Sequence, residues 1–181
     1  MSLPGLSKKQ KEMIAYGEAH HYSLLCADPR LGKTRCAIVL QQKRNVNCLV
    51  VCPAYLVANW KKEIKKWAPH AIVTTFKRGK DIYEVVDSDF VVLSYDLAKK
   101  AEHLFEWATM VVCDEIHNLK NLAAIRTQFI HRCVFEYSIK YFVGLTGTPL
   151  KNRVREFYSP VALTYYNPQF PDPEFLKVFP D

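Results

Sequence analysis

One stretch of this chain has the residue types and the spacing of a phosphate-binding loop. Residues 27–34 read Ala-Asp-Pro-Arg-Leu-Gly-Lys-Thr, with Ala where such loops usually begin with Gly, and they join the apolar run 23–27 to a helical pattern over 34–42. Backbone N–H groups of a tight loop at a helix N-terminus bind phosphate oxygens. The ammonium of Lys33 would reach the β- and γ-phosphates, and the hydroxyl of Thr34 would bind Mg²⁺. The loop therefore predicts a site for a nucleoside triphosphate and its metal ion.

An acidic pair later in the chain supplies the groups that hydrolysis of a triphosphate requires. Asp114 and Glu115 directly follow the apolar run 110–113. Asp114 would hold the Mg²⁺ ion through a bound water, and Glu115 would orient or deprotonate the attacking water. Alone, such a pair is as often two solvated carboxylates at the end of a strand. Beside the loop, it favours a site that hydrolyses a nucleotide.

Composition favours one globular domain with an anionic partner. The chain has 181 residues, of which 49% are hydrophobic, enough for a sizeable core, and its net charge is +7. The positive charge is clustered, which is typical either of a surface that binds a charged polymer or of solvated helix faces. The clusters occupy 8–11, 61–66, 77–80 and 151–155.

The cysteines indicate a reducing compartment, the cytosol or the nucleus. None of the six forms a Cys-x-x-Cys pair, and five lie in or beside apolar segments. Buried reduced thiols are therefore a better interpretation than disulfides or a zinc site. No apolar run approaches the ~20 residues that span a membrane, and the N-terminus lacks the pattern of a signal peptide, so we expect no membrane association.

Short apolar runs alternate with amphipathic segments along the chain. The runs are apolar throughout, as expected for parallel strands that are buried on both faces. Amphipathic patterns over 56–67 and 119–133 predict helices between them, and Trp60 and Trp67 share the apolar face of the first, which favours core packing over base stacking. The alternation predicts an α/β fold with a doubly wound, mostly parallel sheet and helices on both faces. The runs occupy 23–27, 48–52, 71–75, 89–94, 110–114 and 140–145.

The predicted strand ends carry the candidate chemistry. In a sheet of this kind, ligands bind at the carboxyl ends of the strands, which meet at one edge. We therefore expect the loop and the acidic pair to face each other there. The predicted strands end at Ala27, Cys52, Ser94, Asp114 and Thr146.

Six segments, in order along the chain, resemble the characteristic motifs of the first RecA-like lobe of superfamily 2 helicases. Among these helicases, the chain is most similar to the Swi/Snf-type translocases that act on double-stranded DNA, including their phage and viral relatives. The similarity extends over nearly the whole chain and includes Asp-Glu-Ile-His at 114–117 and Leu-Thr-Gly-Thr-Pro at 145–149. The six segments occupy 6–10, 27–34, 50–69, 92–96, 113–121 and 144–152.

The resemblance implies a RecA-like P-loop NTPase domain that binds ATP and Mg²⁺. The complete protein would hydrolyse ATP to ADP and phosphate while moving along DNA, double-stranded rather than single-stranded. The amide of Gln10 would read the adenine edge, because it carries both a donor and an acceptor. The implied nucleotide contacts are Gln10, Arg30, Leu31, Gly32, Lys33, Thr34 and Arg35. The implied catalytic residues are Lys33, Asp114, Glu115 and His117, with Thr34 and Asp114 as metal ligands.

Further residues would contact nucleic acid or connect it to the nucleotide. Family members touch the phosphodiester backbone, which positions a strand without reading its bases, at positions that correspond to Pro53, Ser94, Tyr95 and Asn152. Thr146, Gly147 and Thr148 would connect the state of the nucleotide to the grip on DNA. His117 lies three residues after Asp114, roughly one helical turn, and would couple the acidic pair to Thr146 or Thr148.

Two features depart from the family pattern. Arg30 stands where many relatives carry Gly, and Pro29 removes an N–H donor from the loop. We expect residues 1–167 to form the ATP-binding lobe, and 168–181 to be a proline-rich tail that leads to a second RecA-like lobe in the rest of the protein or in a partner chain. Because that lobe would supply catalytic arginines, the isolated chain is expected to be weakly active or inactive.

Other functions stay open at the level of sequence. One alternative is an isolated nucleotide- and DNA-binding module without useful catalysis. Another is the motor subunit of a restriction or repair complex. A kinase is disfavoured by the acidic motif and the Leu-Thr-Gly-Thr-Pro motif together. The residues do not distinguish DNA from RNA, so the choice of DNA comes from the resemblance.

Overall fold

A parallel sheet organises the described part of the molecule. The computed structural model of the chain describes residues 5–76, 87–147 and 155–164. Within these ranges lie six strands in the spatial order β1-β6-β5-β2-β4-β3, and every neighbouring pair is parallel. All six predicted strands are present, within one or two residues of their expected bounds. The strands are β1 Tyr22–Cys26, β2 Cys48–Cys52, β3 Val73–Thr75, β4 Phe90–Ser94, β5 Met110–Asp114 and β6 Tyr141–Thr146.

Helices cover both faces of the sheet, which confirms the doubly wound arrangement. Short 3-10 turns follow β2 at Ala54–Leu56 and β5 at Ile116–Leu119. The described helices are α1 Lys8–Ala19, α2 Lys33–Arg44, α3 Val57–Trp67, α4 Tyr95–Ala98, α5 His103–Trp107, α6 Ile125–Glu136 and α7 Arg155–Thr164. None of the described helices combines the length and the apolar composition that a membrane crossing requires.

The predicted start of the helix over 119–133 is wrong. The chain after the acidic pair first makes the 3-10 turn Ile116–Leu119, and α6 begins only at Ile125. Between them, the side chain of Asn121 accepts a hydrogen bond from the backbone N–H of Ala123 at 3.0 Å. An asparagine that bonds its own backbone in this way favours a turn over a helix.

The core has two halves, one on each face of the sheet. Successive residues of a strand point to opposite faces, so Val50 packs with α1, α2 and α3 while Val51 packs with the helices of the other face. Every residue of β2, β4 and β5 is buried, as the uninterrupted apolar runs predicted. The outermost strand, β3, is only half-buried. All six thiols are free; five are buried, and Cys26 at the end of β1 is exposed.

The strands end together, as the sequence predicted. In the strand register Cys26 lies beside Thr146, Cys52 lies beside Ser94, and Asp114 lies beside Leu145. The loop after β1, the turn after β2 and the acidic pair after β5 therefore leave the sheet at one edge. This edge carries the candidate site.

Gly144 lets the 3-10 turn after the acidic pair lie close to β6. A Cβ atom at this position would be 2.7 Å from Cδ1 of Ile116 and 2.8 Å from Cδ1 of Leu24, closer than packed carbon atoms approach. At Gly147 a Cβ atom would make only ordinary contacts, the nearest at 3.4 Å to Cγ of Pro29. The two glycines therefore differ in how much a methyl group would disturb them.

We predict that Gly144→Ala destabilises the fold by about 1–3 kcal/mol, because it overpacks a buried contact. Gly147→Ala is the matched control and should change the free energy of unfolding by less than about 0.5 kcal/mol. Urea unfolding followed by circular dichroism measures both. Equal stabilities of the two variants would contradict the packing described for Gly144.

Candidate nucleotide site

The loop between β1 and α2 contains two residues with left-handed backbone. Gly32, the N-cap of α2, has φ 83°, and a Cβ atom there would lie 2.2 Å from Nε2 of Gln10. Arg30 has φ 68°. A residue with a side chain in this conformation costs roughly 1–2 kcal/mol. This cost explains why a glycine suits position 32, and it marks Arg30 as a strained residue in the loop.

Lys33 closes the loop on itself. Its Nζ atom donates hydrogen bonds to the carbonyl oxygens of Ala27 at 2.6 Å and Asp28 at 3.2 Å. Lys33 is also the first residue of α2, whose N-cap Gly32 offers no side-chain acceptor to the first turn. An ammonium group and the N–H groups of a helix N-terminus thus lie together, the combination that binds phosphate oxygens.

Gln10 joins α1 to the loop. Its Nε2 atom donates to the carbonyl oxygen of Leu31 at 3.1 Å, and its Oε1 atom accepts from the backbone N–H of Ser7 at 3.1 Å. The Ser7 hydroxyl in turn accepts from the N–H of Gln10 at 3.3 Å, which completes a capping box for α1. Both ends of the amide predicted to read adenine therefore have partners, one in the loop and one at the N-cap of α1. A cleft of about 350 Å³ lies beside this contact, lined by Lys9, Glu12, Met13, Cys26, Ala27, Asp28 and Leu31.

The side chain of Arg35 packs away from the Lys33 contacts. Its guanidinium lies 3.7 Å from the ring centroid of Trp67 and donates to the carbonyl oxygen of Gly5 at 3.0 Å. The half-buried indole N–H of Trp67 donates to Glu63 at 2.8 Å. Any nucleotide contact by Arg35 would accordingly come from its backbone N–H in the first turn of α2.

Asp114 is a buried carboxylate with a donor on each oxygen. Its Oδ2 atom accepts from the indole N–H of Trp60 at 2.8 Å, and its Oδ1 atom accepts from the backbone N–H of Glu115 at 2.8 Å. Burial raises the pKa of Asp114, and these two hydrogen bonds oppose the rise, as does the charge of Lys33. The carboxylate is therefore within electrostatic reach of the loop lysine.

Trp60 is the residue that sequence reasoning missed. Its spacing on the apolar face of α3 correctly placed the ring in the core, where it is 1% exposed. Its bond to Asp114 was not foreseen. The available signal was chemical, because a buried indole N–H needs an acceptor and the acidic pair supplies a strong one.

The backbone between Asp114 and His117 is not the helical turn that the prediction assumed. Glu115 has φ 48° and ψ 53°, a left-handed backbone that interrupts any helical turn between Asp114 and His117. The assumed one-turn spacing is therefore wrong. Nδ1 of His117 lies 3.3 Å from Oε2 of Glu115, and both side chains are about 30% exposed. The pair faces the solvent-accessible part of the edge.

The Leu-Thr-Gly-Thr-Pro segment at 145–149 begins beside the loop, at the end of β6. The carbonyl oxygen of Thr146 accepts from the backbone N–H of Ala27 at 3.2 Å. The Cα atom of Gly147 faces Pro29 and Lys33, since a Cβ atom there would lie 3.6 Å from Nζ of Lys33. Two of the three predicted coupling residues thus adjoin the loop. Thr148 and Asn152 lie outside the described residues.

The predicted nucleic-acid contacts differ in accessibility. Half-buried Pro53 follows β2 and starts the turn into α3. The Ser94 hydroxyl accepts from the N–H of Leu97 at 3.3 Å and caps α4. The Tyr95 side chain is buried, and its hydroxyl donates to the carbonyl oxygen of Asp114 at 2.9 Å. The inward position of the Tyr95 phenol removes it from any contact with DNA.

One basic cluster lies next to these residues. Lysines of α3 rim a cavity of about 620 Å³ whose floor is mostly apolar. The cluster at 77–80 lies outside the described residues, as do residues 151–154. The lysines at the rim are Lys61, Lys62 and Lys65.

Comparison with known proteins agrees with this geometry. A model of the SNF2-related domain family matches residues 9–174. The chain is 32% identical over 165 residues to the chromodomain-helicase-DNA-binding protein 1-like of Danio rerio, across 82% of this chain and 16% of that protein. It is 27% identical to an uncharacterized ATP-dependent helicase of Mycoplasma genitalium, across 85% of this chain and 16% of that protein. The chain thus spans about a sixth of the length of these relatives.

Solved structures give the same result for the fold. The chain superposes on the SWI2/SNF2 ATPase core of Sulfolobus solfataricus in complex with double-stranded DNA with a TM-score of 0.77 and 26% identity, across 92% of this chain and 36% of that one. The UvsW helicase of bacteriophage T4, at 17% identity and a TM-score of 0.70, shares the fold. The predicted RecA-like fold and the Swi/Snf-type resemblance are confirmed. With the loop, the acidic pair and the end of β6 at one sheet edge, the chain belongs to the SNF2-related domain family.

Proposed function

We propose that this chain is the ATP-binding lobe of a DNA-dependent ATPase that couples hydrolysis to movement along double-stranded DNA. One observation carries the proposal: Lys33, the pair Asp114–Glu115 and Gly147 converge at a single sheet edge. The similarity to an ATP-dependent helicase and to an ATPase core solved with double-stranded DNA supports the choice of nucleotide and of polymer.

Nucleotide binding would exchange the internal partners of the loop for phosphates. Lys33 bonds two neutral carbonyl oxygens, and a phosphate oxygen offers a stronger, charge-assisted bond. The N–H groups of the first turn of α2 are directed along the helix axis and would bind the same anion. The adenine is assigned to the side of the loop that Gln10 holds, next to the cleft that Met13 lines.

The described residues fit Mg²⁺ that is held mainly by the nucleotide. Among them, no three His, Cys, Asp or Glu side chains form a cluster able to hold a metal ion. Mg²⁺ is usually bound by one or two protein oxygens together with phosphates and waters. Each oxygen of Asp114 accepts a single hydrogen bond, which leaves lone pairs for a metal-bound water. We assign the ion to Thr34 and Asp114; when bound, it neutralises phosphate charge.

Glu115 is assigned to the attacking water. Its carboxylate is partly exposed, next to His117 at 3.3 Å, so it has access to water and a neighbour that orients it. A positioned base of this kind contributes about 10²–10⁴-fold to a rate. We assign His117 to hold Glu115, and Thr146 and Gly147 to transmit changes in the loop.

The nucleic-acid side of the proposal involves the neighbouring strand ends. Pro53, backbone groups at Ser94 and Tyr95, and Asn152 are assigned to the phosphodiester backbone of DNA. A second RecA-like lobe, from the rest of the protein or from a partner chain, would supply catalytic arginines. The buried free thiols favour the cytosol or nucleus, or the host cytoplasm for a phage or viral protein.

We predict that Lys33→Ala weakens binding of ADP with Mg²⁺ about 100-fold or more, because charge-assisted bonds to phosphate are lost. Isothermal titration calorimetry measures the affinity. Lys43→Ala is the matched control, since Lys43 lies at the other end of α2 and pairs with Glu18 at 2.5 Å. An unchanged dissociation constant for Lys33→Ala would contradict the assignment of the loop.

We predict that Glu115→Gln binds nucleotide like the wild type but, in the complete protein with its second lobe, releases phosphate at least about 100-fold more slowly. Phosphate release is measured with double-stranded DNA present, and Glu136→Gln, which changes an exposed glutamate paired with Arg132, is the control. Normal turnover by Glu115→Gln would refute its role. If the complete wild-type protein, with its second lobe, binds nucleotide and never hydrolyses it, the protein is a nucleotide-gated binding module.

We predict that DNA binding is independent of sequence and falls about 10-fold or more between 50 and 200 mM salt, because lysines displace counterions from phosphates. Lys62→Ala should weaken binding and reduce the salt dependence, whereas Lys43→Ala should not. Fluorescence anisotropy of a labelled duplex measures this. Binding that is insensitive to salt would exclude an electrostatic contact by α3.

A further inference from the structure

Trp60 and Tyr95 both reach Asp114 from segments that carry predicted nucleic-acid contacts. Trp60 lies one turn into α3, the helix that follows Pro53, and Tyr95 directly follows Ser94. Trp60 bonds the side-chain oxygen Oδ2 of Asp114, and Tyr95 bonds its backbone carbonyl oxygen. Two different elements thus converge on one acidic residue.

We propose that Trp60 is a positioning residue, which fixes the Asp114 carboxylate in the orientation that accepts the metal of the nucleotide, with Tyr95 holding the backbone behind it. This inference rests on the proposed function and adds a residue to that site. It also gives a physical route by which a displacement of α3 would reach the metal.

The packing leaves Asp114 little freedom to turn. Trp60 and Tyr95 are 1% and 3% exposed, and Asp114 is 8% exposed. The second carboxylate oxygen is held by the N–H of Glu115, so rotation about the last side-chain bond would break two hydrogen bonds at once. Residues that hold a metal ligand from behind typically change metal affinity about 10- to 100-fold when they are removed.

The α3 helix offers an internal comparison. Trp67 lies on the same helix, and its indole N–H donates to Glu63 instead of the acidic pair. Trp60→Phe and Trp67→Phe therefore remove the same N–H group and keep an aromatic ring, but only the N–H of Trp60 bonds Asp114. Any difference between them reports on Asp114 rather than on the loss of an indole.

The test measures ADP affinity by calorimetry as Mg²⁺ is varied, with EDTA as the metal-free reference. For Trp60→Phe we expect the ADP affinity in EDTA to be unchanged. Mg²⁺ should still increase the ADP affinity, but half of that increase should require a Mg²⁺ concentration about 10- to 100-fold higher than in the wild type. Trp67→Phe should match the wild type. Equal Mg²⁺ dependence in all three proteins would overturn the inference alone, whereas absence of ADP binding by the wild type would overturn the proposed function.

A second measurement does not depend on the folding of Trp60→Phe. In the variant Trp67→Phe/Trp107→Phe, Trp60 is the one remaining tryptophan of the chain. Its emission should change when Mg²⁺ is added to the ADP complex, because its N–H partner then bonds the metal shell. If the emission of Trp60 changes when ADP is added and then does not change when Mg²⁺ is added, the inference would be overturned.

Discussion

A carboxylate buried at the end of a central strand is the constraint on which the candidate site depends. Burial of an unpaired charge costs several kcal/mol, so Asp114 requires donors close by. Trp60 and the N–H of Glu115 supply them, and the charge of Lys33 adds to their effect. The order of the strands makes this possible, since β5 lies between β6 and β2. The helix α3 follows β2 on one side of β5, and the loop of Lys33 follows β1, which lies beyond β6 on the other side. The positions of α3 and of the loop are thus tied to one side chain.

The loop is organised by contacts that a nucleotide would replace. Lys33 bonds the carbonyl oxygens of the loop, and Gln10 bonds that of Leu31. Gly147 adjoins the same loop from the end of β6. Because these contacts share one small region, a ligand that takes Lys33 from its carbonyl partners would also alter the surroundings of Gly147. Coupling between nucleotide and DNA requires such a shared element.

Much of the fold could be predicted because its signals are local and strong. Uninterrupted apolar runs identify the buried strands, and parallel strands place their carboxyl ends at one edge. The sequence therefore predicts that the loop of Lys33 and the acidic pair lie at the same edge. The start of α6 was predicted wrongly because the spacing of apolar residues carries no information about the turn at Asn121. The left-handed backbone of Glu115 and the inward Tyr95 phenol were missed because tertiary contacts decide them.

Backbone amide chemical shifts of the ¹⁵N-labelled chain, recorded as ADP and Mg²⁺ are added, test the central claim most directly. If the sheet edge is the nucleotide site, the largest shifts will fall on residues 30–35, on 114–115 and on Gly147, with the indole N–H of Trp60 responding to Mg²⁺. Shifts that centre on the cavity beside α3, or that are absent from the loop, would contradict the account.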